Sequence, residues 1–480
     1  MKSQRSKFLG ESQVQNIKKD APREGSERRR FRPIDTAEVE IKWDNTTVTQ
    51  FGGYPAWDCF CRRIGLNQEL SRAVRLDRGK RSFTPAEVAR SLVDAKVLGA
   101  ARISHIDTMR ADPLLCDASG LEVLPSSVTI GRFLKEHSER QCETLRSLNE
   151  RMVNKLFKAF LKQYPESKRE ELKRVVVDYD STTFTVYGKQ EGADRGYCFR
   201  KKGKPGFQPR FAFMGGLGVV VNHELRPQSN NLDKDFLEFH RETLRKVPKG
   251  VKVWAVRGDA ALYSQRIIQE LEKDELVYAI SAAINVPLKD AICDIPEEDW
   301  VEGIDEKGRP YSIARIRFKP KTWEKERTYI ISRRLKPDAL THPYMMRELA
   351  YKYHAYVTNY GGSIEAQYKF AVDRASLEAN IKECKRDMGY NYLPCAELTA
   401  NKAYLEYVIL ARNLSIFFRL HSAPPEAKRW TLGTFRARVL RICANIVRKG
   451  SRYILSLPAW WPYRTIVQRI FDRALALAPL

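Results

Sequence analysis

Between Arg174 and Ser281 the chain alternates between two kinds of pattern, and that alternation limits its possible folds more than any other feature. The stretch RVVVDYDSTTFTVYG, starting at Arg174 and bounded by Gly188, is β-branched and alternates in period two. Such patterning predicts a strand or a hairpin. Further strands are expected over 211–221 and 251–256, the latter running into a helix over 263–273, and then over 277–281. Strands that alternate with helices bury their faces beneath those helices, which gives an α/β layer fold.

On either side the period changes. From 57 to 164 apolar residues recur mostly at helical spacing, and LPSS at 124–127 offers a serine cap for a helix starting near Val128. Between about 285 and 340, Pro and Gly turns separate β segments such as RPYSIARIRF and TYIISRRL. Strand character returns at YKYHAYVT (351–358), and helices are expected over 363–388, 398–420 and 431–449. The chain therefore divides into a disordered basic arm (1–38), a helical N-terminal domain (39–170), and the first part of an α/β core (171–284). A β-rich insertion (285–345), the second part of the core (346–420) and a basic helical C-terminal region (421–480) complete it.

Composition narrows the partners. With 84 Lys and Arg against 59 Asp and Glu, the net charge of +25 calls for an anionic partner such as nucleic acid or an anionic membrane surface. Hydrophobic residues make up 43% of the 480 positions, enough for a sizeable core, which excludes global disorder. No run reaches the ~18 apolar residues of a membrane span, because 407–418 is interrupted by Arg412 and Asn413. The N-terminal residues have no apolar signal-type core, so the chain is expected to stay in the compartment that makes it. Nine scattered cysteines without a CxxC pair argue against zinc and disulfides and for a reducing compartment, and the CxC at Cys59 and Cys61 reads as buried thiols.

From Lys428 to Arg473, eleven basic residues face a single acid, Asp472, and are interleaved with Trp430, Tyr453, Trp460, Trp461 and Tyr463. This mixture suits a phosphate backbone and exposed bases, and equally a helical bundle with a solvated basic face. The basic run at Arg200, Lys201 and Lys202 reads either as a phosphate contact or as a solvated hairpin tip. The seven histidines do not cluster, and GGLG at 215–218 lacks the strand-to-helix context of a dinucleotide site.

Three acids stand where an α/β sheet can present catalytic groups: Asp180 at the end of the first strand, Asp259 just after VKVWAV, and Glu378 in the later helix. Clustered carboxylates repel one another, so in a basic protein such a trio makes most sense around divalent cations. Asp178, Asp180 and Thr182 share one strand face. Arg374, Glu378 and Lys385 lie on one helical stripe, where a surface Arg374 to Glu378 ion pair is the bland alternative.

These residues resemble the DDE transposases of bacterial insertion sequences, in the branch with a Tyr-x2-Arg-x3-Glu-x6-Lys signature. Arg374-x3-Glu378-x6-Lys385 has that spacing, with Ala371 at the Tyr position and Phe370 beside it. VVVDYDSTTFTVYGKQEGADRGY resembles the first-Asp strand and maps the catalytic acid to Asp180, while VWAVRGDAALYS maps the second to Asp259. The likeness extends to LPSSVTIGRFL and to the basic C-terminus, spanning roughly 45–475. It implies an RNase H-like core interrupted by the β-rich insertion, with Asp180, Asp259 and Glu378 holding two Mg²⁺ ions, for which Mn²⁺ can substitute. Arg374 and Lys385 would contact DNA near the element's end. The partners implied are double-stranded DNA, both transposon ends and target, and a second copy of the chain in a homodimer on paired ends. The setting would be the bacterial cytoplasm at the nucleoid, with no membrane. A catalytically inactive end-binding relative, or a nuclease on the same core, are the alternatives. Trp300 or Trp323 is expected to offer a stacking platform for a flipped base.

Overall fold

The computed structural model describes residues 39–76, 81–196, 203–227, 232–337, 350–373, 375–450 and 452–479. The expected arm over 1–38, the basic residues Arg200, Lys201 and Lys202, and Arg374 lie outside these.

The first half-domain is helical. After a two-residue strand β1 (Val48–Thr49) come α1 (Tyr54–Arg63), α2 (Leu66–Ala73), α3 (Pro85–Leu98), α4 (Pro113–Ser119), α5 (Ser127–Lys135), α6 (Glu139–Leu161) and α7 (Glu166–Lys173). Local chemistry sets the starts. Thr84 and Glu87 form a capping box ahead of Pro85, Ser138 and Gln141 form another at α6, and the Ser126 side chain accepts from Thr129 N at α5. Trp57 is fully buried, and its Nε1 donates to Asp94 at 2.7 Å, so the one polar atom of a large apolar ring is satisfied.

The core follows. Its elements are β2 (Arg174–Ser181), β3 (Phe184–Thr185), β4 (Asp194–Arg195), β5 (Pro205–Phe207), β6 (Arg210–Met214), β7 (Val219–Glu224), α8 (Leu232–Lys246), β8 (Lys252–Gly258), α9 (Gln265–Lys273), β9 (Val277–Ala282) and α10 (Val286–Cys293). Then come β10 (Val301–Ile304), β11 (Pro310–Phe318), β12 (Arg327–Leu335), β13 (Tyr351–Thr358), α11 (Ile364–Val372), α12 (Ala375–Lys382) and α13 (Leu398–Ser422). One nine-stranded sheet runs β10-β11-β12-β13-β9-β8-β2-β6-β7. Strand β2 is parallel to β8, β8 is parallel to β9, and the remaining pairs are antiparallel. The five strands from β7 to β9, joined by two antiparallel and then two parallel pairings, form a mixed α/β core. The β-rich stretch after α10 is not a layer of its own, because β10, β11 and β12 continue the same sheet beyond β9 by way of β13.

The 211–221 stretch is two strands, not one, and GGLG makes the turn between them. Gly216 and Gly218 have φ of 80° and 71°, where a side chain is strained. At Gly218 a Cβ would also lie 2.5 Å from Asn380 Oδ1, so this turn is pressed against α12. Strand β7 is an edge, and its exposed pairing groups are covered by a side chain. The Asn413 amide on α13 accepts from Val220 N at 3.0 Å and donates to Val220 O at 2.8 Å. Helix α13 is buried along nearly its whole length, which explains the apolar 407–418 run, and Arg412 within it donates to Gly218 O and to Asn380 Oδ1. Among the described residues no helix is long and apolar enough to cross a membrane, and every described cysteine is a free thiol.

The helix expected over 431–449 is replaced by something else. Short helices α14 (Pro425–Lys428) and α15 (Leu432–Phe435) and one π turn over 436–440 precede a hairpin of β14 (Ala444–Lys449) and β15 (Arg452–Ser456). The hairpin pairs with β1 from the other end of the chain, then α16 (Arg464–Ala476) closes the fold. ANIVRK and RYILS flank Gly450, whose φ of 57° suits a tight turn. On its other side β14 takes β1 as a partner, nearly four hundred residues away in sequence.

One buried cation sets a pH dependence. Lys96 is fully buried, donates to Tyr404 Oη at 2.6 Å and to Ala101 O, and burial, with Arg436 nearby, pushes its ammonium down to about 7. The unfolded chain keeps that proton to about pH 10.4. Between these values the unfolded state binds more protons, so stability rises with pH. Lys96 should contribute about 2 kcal/mol of rise from pH 7 to pH 9. Urea midpoints at both pH values should show the rise in the native chain and lose that part of it in Lys96→Met. An identical rise in the variant would refute the assignment.

Candidate active site

The two aspartates meet at the ends of neighbouring parallel strands. Strand β2 runs beside β8 with Val177 opposite Val256 and Asp178 opposite Arg257. Continuing that register by two residues puts Asp180 opposite Asp259. Both line one pocket, with Tyr179, Ser181, Arg210, Phe211, Arg226, Phe236 and Phe239 around them. Both are half-buried. Asp180 Oδ1 accepts from Ser181 N at 2.8 Å, and Asp259 Oδ1 caps a single 3-10 turn by accepting from Ala261 N at 3.1 Å. Gly258 just before it has no room for a Cβ, which would lie 2.3 Å from Leu262 Cδ1 and so displace the turn that carries Asp259.

The third acid approaches differently. Glu378 lies in α12 and is exposed, outside the pocket of the two aspartates. Its segment is tied down at both ends. On one side Asp373, just after α11, accepts from Arg257 Nη1 at 3.0 Å. On the other, Lys385 Nζ donates to Thr182 Oγ1 at 2.8 Å, two residues beyond Asp180. The structure thus brings Lys385, Asp180 and Asp259 to one end of the sheet and holds the Glu378 helix beside them. The single helix expected over 363–388 is broken into α11, α12 and a π turn over 383–387 that carries Lys385. Ala371, at the signature's aromatic position, is fully buried, and the neighbouring Phe370 packs on Trp254 and Tyr360.

Asp178 is not a second solvent-facing acid. It is 2% exposed, and Arg257 grips it in a fork, Nε to Oδ1 at 2.6 Å and Nη2 to Oδ2 at 3.0 Å. Arg210 and Arg226, which sequence reasoning missed, are buried beside the two aspartates. Arg210 pairs with Glu224 at 2.9 Å and lies over the Phe239 ring. The signal was the strand pairing, since β6 places Arg210 opposite Ser181, one residue from Asp180.

The stacking role expected of Trp300 and Trp323 is not supported. Both are nearly buried, Trp300 beneath Arg333 and beside Tyr353, Trp323 against Tyr263 and Arg327. Each ring is part of the wall that joins β12 to its neighbours, and its faces are already covered.

The donors near Asp180 are carboxylate oxygens, the hard ligands that Mg²⁺ and Mn²⁺ prefer, so the site suits such ions in kind. Among the described residues no group of three or more His, Cys, Asp or Glu side chains is close enough to enclose a metal, so Glu378 stands apart from the aspartate pair.

Among solved structures the chain is similar to a piggyBac transposase synaptic complex with hairpin DNA, at 14% identity and a TM-score of 0.36, covering 82% of this chain and 87% of that one. It is also similar to the Mos1 transposase paired-end complex with left transposon end, at 13% identity and a TM-score of 0.16, covering 43% of this chain and 60% of that one. A Mos1 mariner paired end complex with Mn matches at 15% identity and a TM-score of 0.16, over 42% of this chain and 60% of that chain. No curated protein matches the chain. The model of the family described as Transposase DDE domain group 1 matches residues 31–479, nearly the full length, and the chain belongs to that family.

Proposed function

We propose that the chain binds the ends of its own element, cleaves a DNA strand there by metal-dependent phosphoryl transfer, and joins the freed 3′ hydroxyl to target DNA. The observation that carries this reading is the meeting of Asp180 and Asp259 at the ends of two parallel strands, in a chain of the DDE transposase family. Asp180, Asp259 and Glu378 would hold two Mg²⁺ ions, or Mn²⁺ in their place. When bound, the ions supply Lewis acidity to the attacking and leaving oxygens of an in-line displacement. Glu378 lies outside the aspartate pocket, so on this reading α12 brings it to the other two acids when metal and DNA are bound.

The chain's other groups orient the DNA. Lys385 presents its ammonium beside the Asp180 strand end, where a phosphate of the element's terminus would lie, and Arg374 supplies a second cation four residues before Glu378. Arg210 and Arg226 put two guanidinium groups against the aspartate pocket. The helical domain over 39–170 reads the end sequence. The arm over 1–38, the run Arg200, Lys201 and Lys202, and the 428–473 segment add phosphate contacts. The 285–345 stretch closes over the end, and two copies act on paired ends as a homodimer.

A strand-transfer assay tests this reading against its rivals. Joined products with Mg²⁺ and none with EDTA support it, hydrolysis without joining indicates a nuclease, and tight end binding without cutting indicates an inactive relative. Affinity for the ends should fall steeply with salt, since each neutralised phosphate releases counterions. With six or more phosphate contacts the loss between 50 and 200 mM salt is about 10³-fold. A flat salt profile would mean that the +25 charge serves some other partner.

A further inference from the structure

Arg257 touches all three segments that carry the acids. It lies in β8, two residues before Asp259. Its Nε and Nη2 grip Asp178, two residues before Asp180 on β2, at 2.6 and 3.0 Å. Its Nη1 donates to Asp373 at 3.0 Å and to Phe370 O at 3.3 Å, where α11 ends, five residues before Glu378. The guanidinium lies over the Phe370 ring at 5.6 Å. Arg257 is 3% exposed and Asp178 2% exposed, so the fork is shielded from water and from salt.

Two things follow from this geometry. Asp178 and Asp180 share one face of β2, and Asp259 follows the end of β8 two residues after Arg257, so fixing the first member of each pair constrains where the second lies. The donation to Phe370 O and Asp373 caps the carboxyl end of α11 with a cation, favourable for the helix dipole, and anchors the turn from which α12 departs. A buried ion pair of this kind is weak evidence for stability and better suited to fixing one arrangement. Lysine carries the same charge but has no planar fork, so it cannot bridge both carboxylates in this geometry.

We propose that Arg257, with Asp178 and Asp373, is a positioning clamp that sets the separation of the three acids and so the affinity of the site for divalent metal. The inference rests on the reading above that Asp180, Asp259 and Glu378 share such a site. Outer groups of this kind alter metal affinity or activity by 10- to 100-fold when removed.

The test uses the full chain as Arg257→Lys and as Asp373→Ala, with Asp259→Asn as control. Asp373 is 75% exposed, so its removal leaves the buried fork intact and the protein folded. Mn²⁺ binding to the protein alone is measured by the electron paramagnetic resonance of the free ion, and cleavage of end duplex is measured against Mg²⁺ concentration. Thermal midpoint and end affinity are recorded alongside. Arg257→Lys should need 10- to 100-fold more metal in both readouts, and Asp373→Ala several-fold more, with end affinity at the native level and cleavage largely restored at saturating metal. Native metal requirements in both variants overturn the clamp. So does a loss that follows the folded fraction and is not restored by metal. If the native chain binds Mn²⁺ in an Asp259-dependent way but never cleaves, the proposed function fails while the binding readout still decides the clamp.

Discussion

Asp259→Asn is expected to abolish metal-dependent cleavage of duplex carrying the element's ends while leaving end binding at the native level. The amide is isosteric and can still accept from Ala261 N, so the turn after β8 is preserved. What it lacks is the negative charge that a hard cation requires of its ligands. A loss of about 10³-fold in cleavage rate corresponds to roughly 4 kcal/mol of transition-state stabilisation. On the proposed function, end binding draws on basic surfaces elsewhere in the chain, so the two readouts should separate. Cleavage retained by this variant would remove Asp259 from the chemistry.

The largest expected effect on stability lies far from the acids. Glu406 on α13 is 2% exposed and ties three elements together. It accepts from Arg146 Nε at 2.9 Å and from the Asn149 amide at 3.3 Å, both on α6, and pairs with His223 on β7 at 3.2 Å. Burial pushes its carboxyl up, but His223 and Arg146 outweigh that and hold it below its ordinary range. Its folded value is therefore depressed, so the stability it contributes is present above the ordinary carboxylate range and is lost as pH falls through the folded value. Glu406→Ala leaves Arg146, Asn149 and the buried His223 without their shared partner and should cost about 3–5 kcal/mol at pH 7. Urea unfolding at pH 7 and pH 4 should show a large deficit at the first and a smaller one at the second. An equal deficit at both would mean that packing, not charge, accounts for the loss.

Where strands and helices alternate locally, the fold was legible from sequence. The 174–181, 252–258 and 277–282 strands and the helix at 265–273 follow from period and turn residues alone. What a single sequence does not carry is long-range pairing. ANIVRK pairs with the adjacent RYILS on one side and with distant β1 on the other, and RPYSIARIRF and TYIISRRL extend the core sheet because β13 links them to β9. Trp300 and Trp323 looked available because nothing local to them reveals that Arg333, Tyr353, Tyr263 and Arg327 cover their faces.

The site divides along the same line. Asp180 and Asp259 were visible as acids at strand ends, and the parallel pairing of β2 with β8 brings them together. The link from Lys385 to Thr182 joins two stretches that resemblance had associated but spacing could not. Sequence put Asp178 on the strand face of Asp180 without revealing which of the two is buried. The partner of Asp178, Arg257, is 79 residues away, and the only hint was that each stands two residues before a candidate catalytic acid on adjoining strands.

Whether three acids act as one site turns on Glu378, the member that stands apart from the other two. The most direct test is therefore Mg²⁺-dependent nicking of labelled end duplex by the native chain and by Glu378→Gln, side by side, with EDTA controls. Nicking at the element's end is expected from the native chain with Mg²⁺ only, and its loss in the variant with end affinity retained. Nicking by Glu378→Gln at the native rate, or nicking that persists in EDTA, would contradict a single three-acid site.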